Sequence, residues 1–152
     1  MSQNAVTLRP ALAGDLDDVA RIWHTGASLP GVGPAALPPL EALRRRIDAE
    51  LEAGWVLTVA ERQGEILGFI ALRPDHGVLD QLFVRPDGLG SGTGKALFAH
   101  AQAVMPDGFT LFTRPSNARA SRFYAAQGMT VLRREMHPKF GDPIMFYAWK
   151  PD

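Results

Sequence analysis

The sequence predicts an α/β fold with a mixed, mostly antiparallel sheet of about seven strands and helices on both faces. Three observations carry this. Runs of β-branched and aromatic residues interleave with runs whose apolar residues recur at helical spacing. Short turn signals join several strands directly, which makes those neighbours antiparallel. The length, 152 residues, suits one domain, since single domains run to roughly 100–200 residues. No internal repeat or linker divides residues 1–152.

The elements follow in order. Residues 6–9 read as a first strand, stopped by Pro10. Leu16, Val19, Ala20 and Trp23 form one face of a first helix, with Asp15, Asp17 and Asp18 at its positive end. Residues 26–39 hold Gly26, Gly31, Gly33 and the prolines Pro30, Pro34, Pro38 and Pro39, a long apolar loop of the kind that often serves function. Leu40, Leu43, Ile47 and Leu51 mark a second helix, ended by Gly54. Residues 55–60 and 66–72 form a hairpin across the Gln63-Gly64 turn. Residues 78–84 give a fourth strand and 86–94 a glycine-rich loop. Leu97, Phe98, Ala101, Val104 and Met105 face one side of a third helix. Residues 109–113 form a fifth strand, and Ser116 or Asn117 caps a fourth helix that runs to about Gln127 and is closed by Gly128. Residues 129–134 and 144–149 are the last two strands.

Composition narrows the function. Apolar residues make up 46% and charged residues 21%, ordinary usage for a folded domain. Sixteen basic residues balance sixteen acidic ones, so no broad basic surface for nucleic acid is expected. The absence of cysteine excludes disulfides and thiolate chemistry. No apolar run reaches the roughly 20 residues of a membrane span. The first residues lack the basic and apolar regions of a signal peptide. A soluble cytoplasmic protein with no membrane partner is expected. The four histidines show no metal-ligand spacing, and no metal is expected.

The densest chemical signal is Gly88-Leu89-Gly90-Ser91-Gly92-Thr93-Gly94-Lys95, between a strand and a helix. It fails the P-loop pattern, because Leu89 and Ala96 stand where glycine and Ser/Thr are needed. It fails the dinucleotide pattern in every register, because the third glycine falls on Thr93, Lys95 or Leu97. Its physics still favours a pyrophosphate: glycines let N–H groups turn inward, and a helix N-terminus adds donors and a favourable dipole. Lys95 adds charge at the rim.

Residues 82–97 resemble the acetyl-CoA-binding signature of the GNAT superfamily of N-acetyltransferases. Leu89, Gly92 and Gly94 fall on its three fixed positions, with Leu89 where the family has Gln or Arg. A second stretch, Asn117-x-x-Ala120-x-x-Phe123-Tyr124 with Gly128-Met129, resembles the other hallmark of that family, with Met129 in place of Phe. Asn117 and Tyr124 share a helix face two turns apart. Taken singly, Asn117 reads as an N-cap and Tyr124 as a core aromatic with a satisfied hydroxyl.

The resemblance implies an N-acetyltransferase that moves the acetyl group of acetyl-CoA directly to a primary amine of a small molecule or protein. Asn117 would contact the CoA arm, and Tyr124 would protonate the departing thiolate. Backbone groups of Leu82, Phe83 and Val84, exposed by a splay or bulge in the fourth strand, would pair with pantetheine and polarise the carbonyl. Gly90, Ser91, Thr93 and Lys95 complete the cofactor loop. Asp80, in register with Leu82 and Val84, is the first candidate for the general base, and reads equally as a charged residue at a strand end. His24, His76 and Glu135 are weaker candidates. The acceptor is expected between loops 26–39 and 136–143. Homodimers are common in the family. A noncatalytic acyl-CoA sensor is the alternative function.

Overall fold

The computed structural model describes residues 5–152; residues 1–4, read above for a signal peptide, lie outside it. One sheet has the strand order β1-β2-β3-β4-β5-β7-β6. Its strands are β1 (Thr7–Pro10), β2 (Val56–Arg62), β3 (Glu65–Arg73), β4 (Val78–Val84), β5 (Phe109–Thr113), β6 (Thr130–Met136) and β7 (Pro143–Trp149). Every neighbouring pair is antiparallel except β4 and β5. The helices are α1 (Leu16–Ala27), α2 (Leu40–Glu52), α3 (Thr93–Val104) and α4 (Ala118–Ala126).

The helices cover both faces. Leu16, Val19, Ala20 and Trp23 of α1, with Leu43 and Ile47 of α2, pack on Leu57, Val59, Phe69 and Ala71. Leu97, Phe98 and Ala101 of α3, with Tyr124 of α4, pack on Ile70, Leu72, Leu79 and Leu111. Strand β3 feeds both layers, alternating over residues 69–72, with Phe69 and Ala71 to one side and Ile70 and Leu72 to the other. Its seven central residues are therefore all buried.

Three boundaries differ from expectation. Pro10 is the last residue of β1 rather than a stop, because β1 is an edge strand and needs no ladder donor on its open side. Helix α1 runs on to Ala27, so the loop is 28–39. Gly26 stays helical because Phe83 lies against it: a Cβ there would sit 2.5 Å from Phe83 Cδ1. Helix α3 starts at Thr93, four residues before its first apolar position, because the polar first turn carries no core contact that a periodicity could reveal beyond the buried Thr93.

Two irregularities of β4 shape the site. Leu79 pairs with Leu72 and Gln81 with Ala71, so Asp80 is an extra residue, a β-bulge. The bulge shifts the alternation. Asp80 bonds Trp55, which belongs to the α1–α2 layer, while Leu82 and Val84 pack on the α3–α4 layer. The expectation that Asp80 shares a face with Leu82 and Val84 is thus corrected. The second irregularity is a splay: β4 and β5 pair only at Val78 and Thr110 and then part.

Candidate active site

The splay opens a wedge of about 70 Å³ between β4 and β5, lined by Asp80, Leu82, Phe83, Phe112, Asn117 and Tyr124 among others. It continues on one side into an apolar groove of about 170 Å³, where Leu82, Phe83, Val84, Leu89, Gly94, Asn117 and Tyr124 come together. On the other side is a cleft of about 260 Å³. Asp80 lines the wedge and this cleft. Both loops expected to hold the acceptor reach the cleft, through Val32, Gly33 and Pro34 from one and His137 and Phe140 from the other.

The glycine loop enters α3 through Gly92, whose φ of 84° is the left-handed conformation that only glycine adopts without strain. A Cβ at Gly92 would meet nothing within 4 Å, so the backbone, not the space, selects glycine. The Ser91 and Thr93 hydroxyls hydrogen-bond each other at 2.7 Å, and Ser91 Oγ donates to the Gly88 carbonyl. The N–H groups of Thr93, Gly94 and Lys95 have no acceptor among the described residues, as befits a helix start without a side-chain cap. These donors suit an anion. Lys95 and Gly90 are exposed beside them, and Leu89 presents an exposed apolar side chain at the mouth of the groove.

Helix α4 closes the other wall. Asn117 caps it, Oδ1 accepting from the Ala120 N–H at 3.2 Å. The cap uses only that oxygen, and Asn117 lines both wedge and groove. Tyr124 is 7% exposed, held by Phe98, Phe123 and Tyr147 through ring contacts of 5.3–6.3 Å. Its hydroxyl forms no hydrogen bond among the described residues, yet is not sealed from solvent. It is not the satisfied core hydroxyl that the bland reading required. Burial pushes its pKa up from the ordinary tyrosine value.

Asp80 is clamped. Its Oδ2 accepts from Trp55 Nε1 at 2.7 Å and from Arg73 Nε at 3.3 Å. Oδ1 has no partner among the described residues. The weaker base candidates lie elsewhere. His24 lies in the last turn of α1, His76 sits in the turn before β4, and Glu135 pairs with Arg133 on the outer strand. None of the three lines the wedge, groove or cleft.

Sequence reasoning missed His137. It anchors the 137–142 loop: its N–H donates to the Asp142 carbonyl at 2.7 Å, and its carbonyl accepts from Gly141. Its Nδ1 accepts from the N–H groups of Lys139 and Phe140 at 3.0 and 3.1 Å. Phe112 and Phe140 flank the ring. The only signal in the chain was its position at the head of a Pro/Gly loop.

Splay, bulge, glycine-led helix and tyrosine wall meet around one groove and wedge, and comparison with known proteins identifies the family. The family model for the acetyltransferase (GNAT) family matches residues 23–129. The chain belongs to that family. It is similar to the peptidyl-lysine N-acetyltransferase YjaB of Salmonella typhimurium, 37% identical over 81 residues, which are 53% of this chain and 54% of that protein. The chain thus spans about half the length of that relative. It is also similar to an aminoglycoside N(6′)-acetyltransferase type 1 of Stenotrophomonas maltophilia, 33% identical over 119 residues, 70% of this chain and 72% of that one. Its fold matches yncA of Salmonella typhimurium, a structure with acetyl-CoA, at a TM-score of 0.74 and 18% identity, covering 97% and 95% of the two chains.

Proposed function

We propose that this chain transfers the acetyl group of acetyl-CoA to a primary amine by direct attack while both are bound. The observation that carries this is the Tyr124 hydroxyl, unpartnered among the described residues, on the wall shared by the groove and the wedge. The relatives named for acetylating lysine and aminoglycoside amines support the reaction class.

The residues fit the donor. Free N–H groups at the start of α3 face where a pyrophosphate would sit. The apolar groove over Leu82, Phe83 and Val84 accepts an extended arm, and the β4 edge facing the splay offers main-chain groups to its amides. The same edge supplies donors to the negative charge that develops on a thioester oxygen, the larger electrostatic contribution in acyl transfer. Asn117 steadies the arm. Tyr124 keeps its proton and delivers it to the departing thiolate. Asp80, its Oδ2 fixed by Trp55 and Arg73, receives the amine's proton at Oδ1, directly or through one water. Holding donor and acceptor on either side of the wedge supplies much of the remaining acceleration.

Titration calorimetry with acetyl-CoA, with ATP as control, tests the donor. Saturable acetyl-CoA binding that is lost in a folded Gly92→Glu variant is expected. No binding at millimolar ligand would sink the proposal. Binding with no turnover across a screen of amines would leave an acyl-CoA sensor instead.

A further inference from the structure

The cleft beyond the wedge carries a statement about the acceptor that rests on the transferase reading above. Among the described residues, three charged side chains line it, Arg46, Asp80 and Arg114. Each is already paired: Arg46 with Glu50 at 3.5 Å, Asp80 with Arg73, and Arg114 with Asp142. Most of the remaining lining residues are aromatic, proline or aliphatic, with Trp23, Phe112 and Phe140 prominent, and the uncharged polar Gln81, Thr113 and His137 complete it. A molecule with several ammonium groups would find one carboxylate there and two guanidinium groups. At about 260 Å³, the cleft falls below the roughly 300–1,000 Å³ of sites for drug-sized ligands.

His137 adds a directional element. Two backbone N–H groups donate to Nδ1, which must therefore be unprotonated, so the ring's proton is on Nε2. Nε2–H has no acceptor among the described residues, and His137 lines the cleft. Charging the ring would break both bonds to Nδ1. Burial and the nearby Arg114 also hold its pKa below the ordinary histidine value.

We propose that the acceptor is a small monoamine with an aromatic or aliphatic body and an oxygen that accepts a hydrogen bond from His137 Nε2–H. The two guanidinium groups of the lining disfavour the ammonium form on entry, which helps the amine reach the thioester as a nucleophile. The attacking nitrogen forms the amide bond, the carbon–sulfur bond breaks, the thiolate takes a proton, and the nitrogen loses one.

The test measures kcat/KM on the full chain at saturating acetyl-CoA, whose binding is confirmed first by calorimetry. The amines are a phenylalkylamine with a ring ether oxygen, its isostere with methylene in place of that oxygen, spermidine, an aminoglycoside and a lysine-containing peptide. Both monoamines are expected to exceed the other three by tenfold or more. The ether amine is expected to exceed its isostere by about tenfold, the worth of one hydrogen bond. His137→Phe, which keeps a ring between Phe112 and Phe140, should bring that ratio to about one. His137→Gln, whose amide N–H reaches the place of Nε2, should restore part of it. Melting curves show whether each variant is folded, and the ratio does not depend on how much active enzyme is present. Preference for spermidine, the aminoglycoside or the peptide overturns the proposal and leaves the transferase reading intact. So does an ether preference that survives in His137→Phe. Acetyl-CoA binding with no amine acetylated overturns the transferase reading, and the acceptor class falls with it.

Discussion

Trp55 Nε1 donates to Asp80 Oδ2 across 2.7 Å, tying the residue before β2 to the bulge of β4. Trp55 is 4% exposed, and a buried indole needs an acceptor for its N–H. Asp80 supplies it and is oriented in return, while Arg73 bonds both Asp80 and Glu50. One carboxylate oxygen holds the bulge, and the other is left to the site.

Asp80→Asn separates the two duties. Its amide oxygen still accepts from Trp55, so the melting temperature should stay close to that of the parent. Turnover should fall by about 10²-fold or more, the range of a lost general base. Turnover within a factor of two of the parent would assign Asp80 to the bulge alone.

Tyr124→Phe removes a hydroxyl that bonds nothing among the described residues, so folding should be nearly unaffected. The acetyl-CoA dissociation constant should change little while kcat falls by about 10²–10⁴-fold. Burial raises the phenol's pKa, so the acid form persists beyond the ordinary tyrosine value of about 10. The rate should therefore show no falling limb from Tyr124 between neutral pH and about 10. A descending limb near pH 9 that disappears in Tyr124→Phe would contradict this assignment.

Much of this site was legible in the chain. The two stretches that resemble the GNAT hallmarks hold Gly94, Asn117 and Tyr124, which meet in one groove, and the β-rich runs on either side of the Gln63-Gly64 turn pair as the hairpin β2–β3. What stayed hidden has a common physical origin. The bulge at Asp80 depends on pairing with β3, and nothing within residues 78–84 marks an extra residue, so the face of Asp80 was misread. His137 acquires its role from the backbone N–H groups of Lys139 and Phe140 and from Phe112, 25 positions away. Such closure by a tertiary contact leaves no local periodicity.

A hydrogen bond from α4's approach fastens the 28–39 loop over the site. Ser116 Oγ donates to the Gly31 carbonyl at 2.7 Å, and Gly31 has a φ of 79°. A Cβ at Gly31 would lie 2.6 Å from the Ser116 carbonyl oxygen. Gly31→Ala thus meets both a left-handed backbone and a backbone clash, and the loop must move. Because Val32 lines both cleft and groove, KM for the amine and for acetyl-CoA should both rise several-fold. Ser116→Ala should give a smaller effect in the same direction. Unchanged KM values in Gly31→Ala would show that the loop does not shape either site.

Phe98 is 1% exposed, and its ring meets Phe109, Phe123 and Tyr124 at 5.4–6.3 Å. Phe98→Ala should cost roughly 3–5 kcal/mol of stability, as buried phenylalanine truncations do. It should also loosen Tyr124, so kcat should fall even at temperatures where the variant remains folded. Denaturant unfolding gives the first number and kinetics below the melting range the second. Parent-like kcat in the folded variant would mean that Phe123 and Tyr147 suffice to hold Tyr124.

At the other edge of the sheet, Arg9 grips Asp15 with two hydrogen bonds of 2.7 and 3.1 Å, and the Leu12 N–H gives Asp15 a third at 2.7 Å. These bonds hold the Asp15 carboxyl below its usual pKa, the Arg9 guanidinium contributing most. The sign follows from linkage. A carboxyl with a lower pKa in the folded than in the unfolded chain adds stability at pH values above the unfolded value of about 3.9, and that stability is lost as pH falls through the folded value. The difference in melting temperature between the parent and Asp15→Asn should therefore be constant from neutral pH down to about 5, then shrink toward zero at lower pH. A difference that instead grew on acidification would place the source of stability in the geometry of the β1–α1 turn rather than in the charge of Asp15.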